Sequence, residues 1–367
     1  MPATPSKPRL LTGDTPTGKL HLGHWVGSVE NRVAMQDDYE CFFLIANKHA
    51  FTTRADSPAD IRQSVIEIAT DWLAVGIDPA KSSMLIQSEV PAIDELTFFF
   101  AMLLPFNRVM RNPTLAQEIK DKDLGDKYPF GFPLYAVGQC ADILAFRPEV
   151  VPVGEDQVPH LELTREVARR FDQMYDGVDS HAADADYVRL GGTFPVIAPK
   201  IGRVGRLPGT GGPGEGGQLL KMSKSLGNAI FLSDDADTLK KKVMGMYTDP
   251  ARVRKTDAGN PDPSANPLFA YLTTFHPDQD WVAKQSAAYA AGGDAAPGDA
   301  QLKKELIAVL DAFLTPMRER RASITEADVM AALKQGTARA NEVAEETLSL
   351  AKAAMKQDYF GRSLSIE

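Results

Sequence analysis

The chain has 367 residues, 44% apolar and 24% charged, the balance of a folded chain rather than a disordered one. Forty Lys plus Arg against 49 Asp plus Glu give a net charge of −9, which excludes a non-specific DNA coater but leaves room for RNA held by a local basic patch. Two cysteines, Cys41 and Cys140, and six scattered histidines exclude a disulfide framework, a cysteine zinc site and a His-Glu-x-x-His metal helix. The N-terminal residues lack the apolar run of a signal peptide. The best apolar stretch, 96–106, falls short of the roughly 20 residues of a membrane span. A cytoplasmic protein with neither membrane nor DNA as partner is expected.

In chain order, 9–12 predicts a short strand ending at Gly13, followed by a Gly/Pro/Thr loop to Gly18. Leu22, Trp25, Val26, Val29 and Val33 predict a helix over about 21–35. The continuous apolar run 41–46 reads as a strand buried on both faces. Pro58 after Ser57 opens another helix. A strand follows at 83–87, a helix at 93–104, a helix at 134–146, a strand at 149–153 and a helix at 158–175. Strands alternating with helices predict a doubly wound parallel α/β sheet of Rossmann type. Composition shifts near 202: eight glycines and two prolines fall within 202–217, read as a mobile loop. Helices are then expected at 234–244, 267–275, 300–320 and 326–355, with an Ala/Gly-rich linker at 287–300. The expected organisation is a catalytic domain at 1–201, a Gly-rich and signature loop at 202–233, and an all-helical domain at 234–367.

Ligands of open α/β sheets sit beyond the carboxyl ends of the strands, so the loop after the first strand is the place to look. Gly13-x4-Gly18-Lys19 nearly matches a P-loop. Leu20 stands where that motif needs a hydroxyl for Mg²⁺, which argues against an NTPase or kinase. The same loop runs on into His21-Leu22-Gly23-His24. Residues three apart share a helix face, so both imidazoles project beside a helix N-terminus that already favours anions. Gly23 lets a nucleotide approach the backbone. About 200 residues later, Lys221-Met222-Ser223-Lys224-Ser225 supplies two cations and two hydroxyls suited to a leaving pyrophosphate.

Together these two signatures resemble the paired "HIGH" and "KMSKS" elements of class I aminoacyl-tRNA synthetases, the second letter for letter. Order and spacing are similar to the subclass of tryptophanyl and tyrosyl enzymes. Three stretches resemble the bacterial-type tryptophanyl branch: 151–165, with Gly154-Glu155-Asp156-Gln157; 139–144, with Asp142; and 87–91. The resemblance implies a tryptophan–tRNA ligase using ATP with Mg²⁺ held through the phosphates, tRNA(Trp) as partner, and a homodimer. It implies catalytic His21, His24, Lys221 and Lys224. It implies ATP contacts at Thr15, Pro16, Thr17, Gly23, His24, Gly154, Glu155, Asp156, Val204, Lys221, Met222, Ser223, Lys224 and Ser225. The amino acid falls to Leu11, Gly13, Tyr135, Gln139, Asp142, Val153 and Gln157. A buried carboxylate is costly without a partner, and an indole N–H is a donor only. Asp142 accepting that donor would reject Phe.

Gln139 stands where many members of the family carry Met, Leu11 where some carry Phe, and Asn47-Lys48-His49 where Asp-x-His is common. These departures leave open an auxiliary enzyme for a modified tryptophan. A tyrosyl enzyme and a non-catalytic RNA-binding relative also stay open at this point. Basic runs 240–242, Arg252, Arg254 and Lys255, and Arg318, Arg320 and Arg321 are the candidate RNA contacts in the helical region.

Overall fold

The computed structural model describes residues 7–121, 123–125, 127–154, 157–201, 207–224 and 226–361. It divides into two compact units. One comprises the described parts of 1–18, 30–202 and 324–367, and the other those of 19–29 and 203–323.

The first unit is built on a five-stranded sheet of β1 (Arg9–Asp14), β2 (Glu40–Ile45), β3 (Ser82–Ile86), β4 (Val150–Val153) and β5 (Ala198–Ile201), in the order β3-β2-β1-β4-β5. Every pairing is parallel, the Rossmann arrangement, with its switch point between β1 and β4. The run Cys41-Phe42-Phe43-Leu44-Ile45 is buried throughout, as a central strand covered on both faces must be. Helix Pro58–Val75 starts on its proline and ends at Gly76, whose φ of 107° suits a residue without Cβ. Helices Pro91–Leu103, Gly131–Leu144 and Val158–Phe171 bury Leu96, Phe100, Phe132, Leu163 and Phe171 in one core with Leu11, Phe42 and Val153.

Several features of this unit depart from the sequence expectation. Neither β5 nor helices Asn47–Arg54, Phe106–Met110 and Pro113–Asp121 have a counterpart in it. The last long helix, Glu326–Ala354, does not stay with the helices before it. It packs on β3, where Gly336 lies so close that an added Cβ would fall 2.1 Å from the Met84 carbonyl oxygen. Thr337 Oγ1 accepts the Ile86 amide at 3.3 Å and Asn341 Nδ2 donates to the Glu89 carbonyl at 2.8 Å. The helix thereby covers an edge strand whose amides need partners. The expected helical region 234–367 thus divides near residue 324.

The second unit holds helices Ala236–Met244, Pro267–Phe275, Gln279–Ala291 and Asp299–Ser323. The glycine-rich stretch expected as a mobile loop instead contains an antiparallel ribbon, β6 (Pro208–Pro213) with β7 (Leu219–Lys221). Two of its glycines serve close packing. An added Cβ would meet the Asn228 amide at Gly209 (2.1 Å) and the Tyr247 ring at Gly212 (2.8 Å). The expected linker is also shorter than its composition suggests, because helix Gln279–Ala291 runs through its first five residues. The first signature's helix continues as a wide π-helical turn over Trp25–Val29 before Glu30–Met35. Among the described residues no helix is long and apolar enough to cross a membrane.

Candidate active site

Two clusters of candidate residues emerge, one in each unit. In the first unit, β2 and β3 end at the start of helix Asn47–Arg54 and at a short turn, Gln87–Glu89. Both strand ends meet Asp142 of helix Gly131–Leu144. Asp142 is 4% exposed and Gln87 is 1% exposed. Gln87 Nε2 donates to Asp142 Oδ1 at 2.7 Å and lies 3.0 Å from His49 Nε2. Gln87 Oε1 accepts the Lys48 amide at 3.0 Å. His49 Nε2 is 3.5 Å from Asp142 Oδ2. Burial pushes the Asp142 carboxyl up to about 7, against the opposing pull of the Gln87 hydrogen bond and the Lys48 charge. Burial, then Lys48, pushes His49 down to about 4. Both groups are driven towards their neutral forms, the usual effect of desolvation.

Gly138 makes room for this arrangement, since a Cβ there would fall 3.0 Å from His49 Nε2. Tyr135 donates its hydroxyl to Glu118 Oε1 at 3.0 Å and lies 3.4 Å from His160 Nε2. Burial and Glu118 push its phenol up, so it stays a neutral donor. Gln139 Nε2 donates to Gln157 Oε1 at 3.4 Å, bringing together the two expected residues that carry amides. Leu11 and Val153 are buried on the neighbouring strands β1 and β4. Gly13 is needed for strand packing, since a Cβ would sit 2.3 Å from the Leu44 carbonyl oxygen. Gly154 follows β4 and is half-buried.

Asp14, which the sequence marks only as part of the loop, ends β1 in a buried knot. Arg32 Nη1 and Nη2 bind its Oδ2 and Oδ1 at 2.6 and 3.1 Å, and Trp72 Nε1 donates to Oδ2 at 3.1 Å. Beyond it Thr15 and Thr17 are exposed while Pro16 is buried, its carbonyl accepting from Arg54 Nη1 at 3.1 Å.

In the second unit the two signatures lie side by side. Backbone bonds run from Leu22 N to Ile230 O and from Leu232 N to Leu20 O, both 3.0 Å. They tie the first signature to the segment just after the second. The rings of His21 and His24 are 3.8 Å apart, and the His21 amide donates to His24 Nδ1 at 3.0 Å. Gly23 sits under this pair: a Cβ there would fall 3.0 Å from the His21 ring and 3.7 Å from Met222 Cβ. Met222 is buried, Lys221 is exposed, and Ser223 and Lys224 are half-buried. Asn228, which no sequence motif singles out, clips this segment. Its Oδ1 accepts the Ser223 amide at 2.8 Å and its Nδ2 donates to the Lys221 carbonyl at 3.2 Å. The histidines, the glycine and the lysine-serine segment thus form a polar face with cationic and N–H donors, which fits a polyphosphate. Glu155, Asp156, Val204 and Ser225 lie outside the described residues.

A profile of the family described as tRNA synthetases class I (W and Y) matches residues 4–315. The chain belongs to this family. The synthetase is 44% identical over 363 residues to a tryptophan–tRNA ligase of Clostridium longisporum, covering 97% of this chain and 98% of that protein. It is 45% identical over 361 residues to the tryptophan–tRNA ligase of Lactococcus lactis, with coverage of 97% and 99%. Its fold is similar to a solved tryptophanyl-tRNA synthetase from Campylobacter jejuni complexed with ADP and tryptophan. That match has a TM-score of 0.75 and 26% identity, covering 95% of this chain and 99% of that one.

The expected RNA contacts are not all available to RNA. Arg252 is 8% exposed, pairs with Asp299 at 2.6 Å, donates to the carbonyls of Asp257, Lys255 and Pro297, and lies over the Tyr289 ring. It is a structural strut. Lys242 pairs with Asp234 at 2.6 Å and Arg318 with Asp311. Arg321 is half-buried, whereas Lys240, Lys241, Arg254, Lys255 and Arg320 are exposed.

Proposed function

We propose that this synthetase is a tryptophan–tRNA ligase that makes tryptophanyl-adenylate from L-tryptophan and ATP and passes tryptophan to tRNA(Trp). The observation that carries the reading is the buried Asp142 carboxylate, held by Gln87 at the strand ends. Such an acceptor, enclosed and hard to satisfy otherwise, suits a donor-only indole N–H. The near full-length likeness to tryptophan–tRNA ligases supports it. Tyr135, Leu11, Gly13, Val153, Gln139 and Gln157 would line the amino-acid side of the site.

A tryptophan carboxylate oxygen attacks the α-phosphorus of ATP in line. A P–O bond forms, the bond to the β-phosphate's bridging oxygen breaks, and pyrophosphate leaves. The 3′-terminal hydroxyl of tRNA then attacks the adenylate carbonyl and AMP leaves. No protein nucleophile is needed, so the chain contributes positioning and charge. His21 and His24 donate to phosphate oxygens, with Gly23 admitting the nucleotide to the backbone. Thr15, Pro16 and Thr17 form the approach loop, and Gly154 would sit near the ribose. Lys221, Met222, Ser223 and Lys224 would hold the departing pyrophosphate. Among the described residues no group of three or more His, Cys, Asp or Glu side chains is arranged to hold a metal ion. Mg²⁺ would be held through the phosphates, where it offsets their charge.

Replacing Lys224 by Ala is expected to lower the rate of adenylate formation about a hundredfold, the scale of losing one preorganised charge donor, while tryptophan affinity changes little. Rapid-quench kinetics and tryptophan titration measure the two separately, and equal losses in both would remove Lys224 from the phosphate role. Charging of a tRNA(Trp) transcript with labelled tryptophan tests the second step.

A homodimer is part of the same reading. Phe98 and Met102 lie one turn apart on helix Pro91–Leu103 and are 64% and 65% exposed, with Phe106 and Phe130 also exposed in the same unit. The exposed Phe98 and Met102 on one helix face would be buried in such an association. Light scattering should give about twice the 39.9 kDa chain mass. A Phe98→Asp, Met102→Asp variant should give the single-chain mass. As a translation enzyme it would work in the cytoplasm.

A further inference from the structure

We infer that Gln87 is a positioning residue for amino-acid selection: it locks His49 as the neutral Nδ1–H tautomer and keeps Asp142 Oδ2 for the substrate's N–H. The inference rests on the reading of Asp142 as the indole acceptor. It follows from counting hydrogens. A backbone amide can only donate, so the Lys48 N–H at 3.0 Å identifies the accepting atom of the Gln87 amide as Oε1. The other end must then be the NH₂ group. Its two hydrogens face Asp142 Oδ1 at 2.7 Å and His49 Nε2 at 3.0 Å. A nitrogen that receives a hydrogen there carries none of its own. His49 therefore holds its proton on Nδ1.

This assignment changes what the 3.5 Å separation between His49 Nε2 and Asp142 Oδ2 means. Two lone pairs face each other, so it is not an ion pair. His49 does not satisfy Oδ2, and an incoming N–H can. Gln87 meanwhile stabilises the carboxylate through Oδ1. The Gln87 amide is oriented by one donor-only atom, the Lys48 N–H, and the roles of its other two contacts follow from that orientation. The charged or titratable groups acting on Asp142 are Gln87's neighbours His49 and Lys48 from helix Asn47–Arg54, and Asp94 from helix Pro91–Leu103. Glu118, from helix Pro113–Asp121, acts on His49. Of these, Lys48 pairs with Asp94 at 2.5 Å, which offsets much of their separate influence.

The test uses the full-length enzyme and tryptophan binding followed from pH 5.5 to 9. In the native protein the affinity rises through a midpoint set by Asp142. In Gln87→Met the carboxylate loses a charge-assisted hydrogen bond, and the midpoint should move up by about one pH unit. At that shift binding is about fivefold weaker at pH 7 and nearly unchanged at pH 9. The loss should fall on KM for tryptophan more than on kcat. A second readout needs no variant. Long-range ¹H–¹⁵N spectra of histidine-labelled native enzyme should show His49 as the neutral Nδ1–H form at pH 6. An Nε2–H or protonated His49 would overturn the inference even if Gln87→Met failed to fold. So would an unmoved midpoint in Gln87→Met while Asp142→Asn loses tryptophan affinity. If Asp142→Asn itself leaves affinity intact, the reading of Asp142 as indole acceptor fails instead.

Discussion

Asp142→Ala is expected to lower kcat/KM for tryptophan in ATP–pyrophosphate exchange about a thousandfold at pH 8, within the 2–5 kcal/mol range for truncating one partner of a buried charged hydrogen bond. ATP affinity should change little. The native enzyme should also lose tryptophan affinity as pH falls. The carboxyl is pushed up to about 7 by burial, and only its ionised form accepts an N–H, so KM rises as pH drops below about 7. Asp142→Asn should lack this dependence. Stability runs the other way. A folded-state value above the unfolded one means the stability contribution is full below about 4 and is lost as pH rises towards 7. Relative to the native chain, Asp142→Asn should therefore gain stability between pH 5 and pH 7.5 in urea titrations. A pH-independent KM in the native enzyme would contradict the assignment.

Arg32→Met is the larger effect on folding. Arg32 is 1% exposed, and its guanidinium grips both oxygens of Asp14 at the carboxyl end of β1. The Trp72 indole shares Oδ2 and the guanidinium lies 5.5 Å from the Trp72 ring centroid. Removing the cation leaves Asp14 largely enclosed with its main counter-charge gone. Breaking such a pair costs about 3–5 kcal/mol, a large share of a domain's net stability. Denaturant unfolding measures it. The double replacement Arg32→Met, Asp14→Leu should recover much of the loss, because burying neither charge is cheaper than burying one. A single mutant as stable as the native chain would show that the pair is solvated.

The sheet's first three strands and β4 are legible in the sequence through their short apolar stretches, most fully at Cys41–Ile45, which is buried throughout. β5 is not. Its four residues, Ala198-Pro199-Lys200-Ile201, are all exposed. Its strand form comes from pairing with β4, and proline tolerates such an edge. The glycines at 209 and 212 mislead because composition does not distinguish freedom from close approach. The apolar face of helix Glu326–Ala354 announces burial but not against what. The contacts of Gly336 with Met84, Thr337 with Ile86 and Asn341 with Glu89 settle that it returns to β3.

The candidate site divides in the same way. His21, His24, Lys221 and Lys224 stand out because the two signatures occur together in one chain, where either alone reads as ordinary surface residues. Asp142 stands out as a carboxylate in an apolar helix. Gln87 and His49 fall in stretches noted in the sequence but with no role attached, and Asn228 in none, although Gln87 holds Asp142 and Asn228 holds Lys221 and Ser223 in place. Their function lies in hydrogen bonds across the fold, and no local pattern encodes which strand end meets which helix. Arg252 looks like an RNA contact for the opposite reason. A basic residue in a basic run reads as surface charge until its four internal partners are seen.

The most direct measurement is ATP–pyrophosphate exchange with each of the twenty amino acids and a set of ring-substituted tryptophans, at pH 8. The account predicts exchange with L-tryptophan far above every other standard amino acid. A substituted tryptophan preferred over tryptophan would point to the Gln139 and Leu11 departures and narrow the substrate. Exchange driven by tyrosine, or none with any amino acid, would contradict the account.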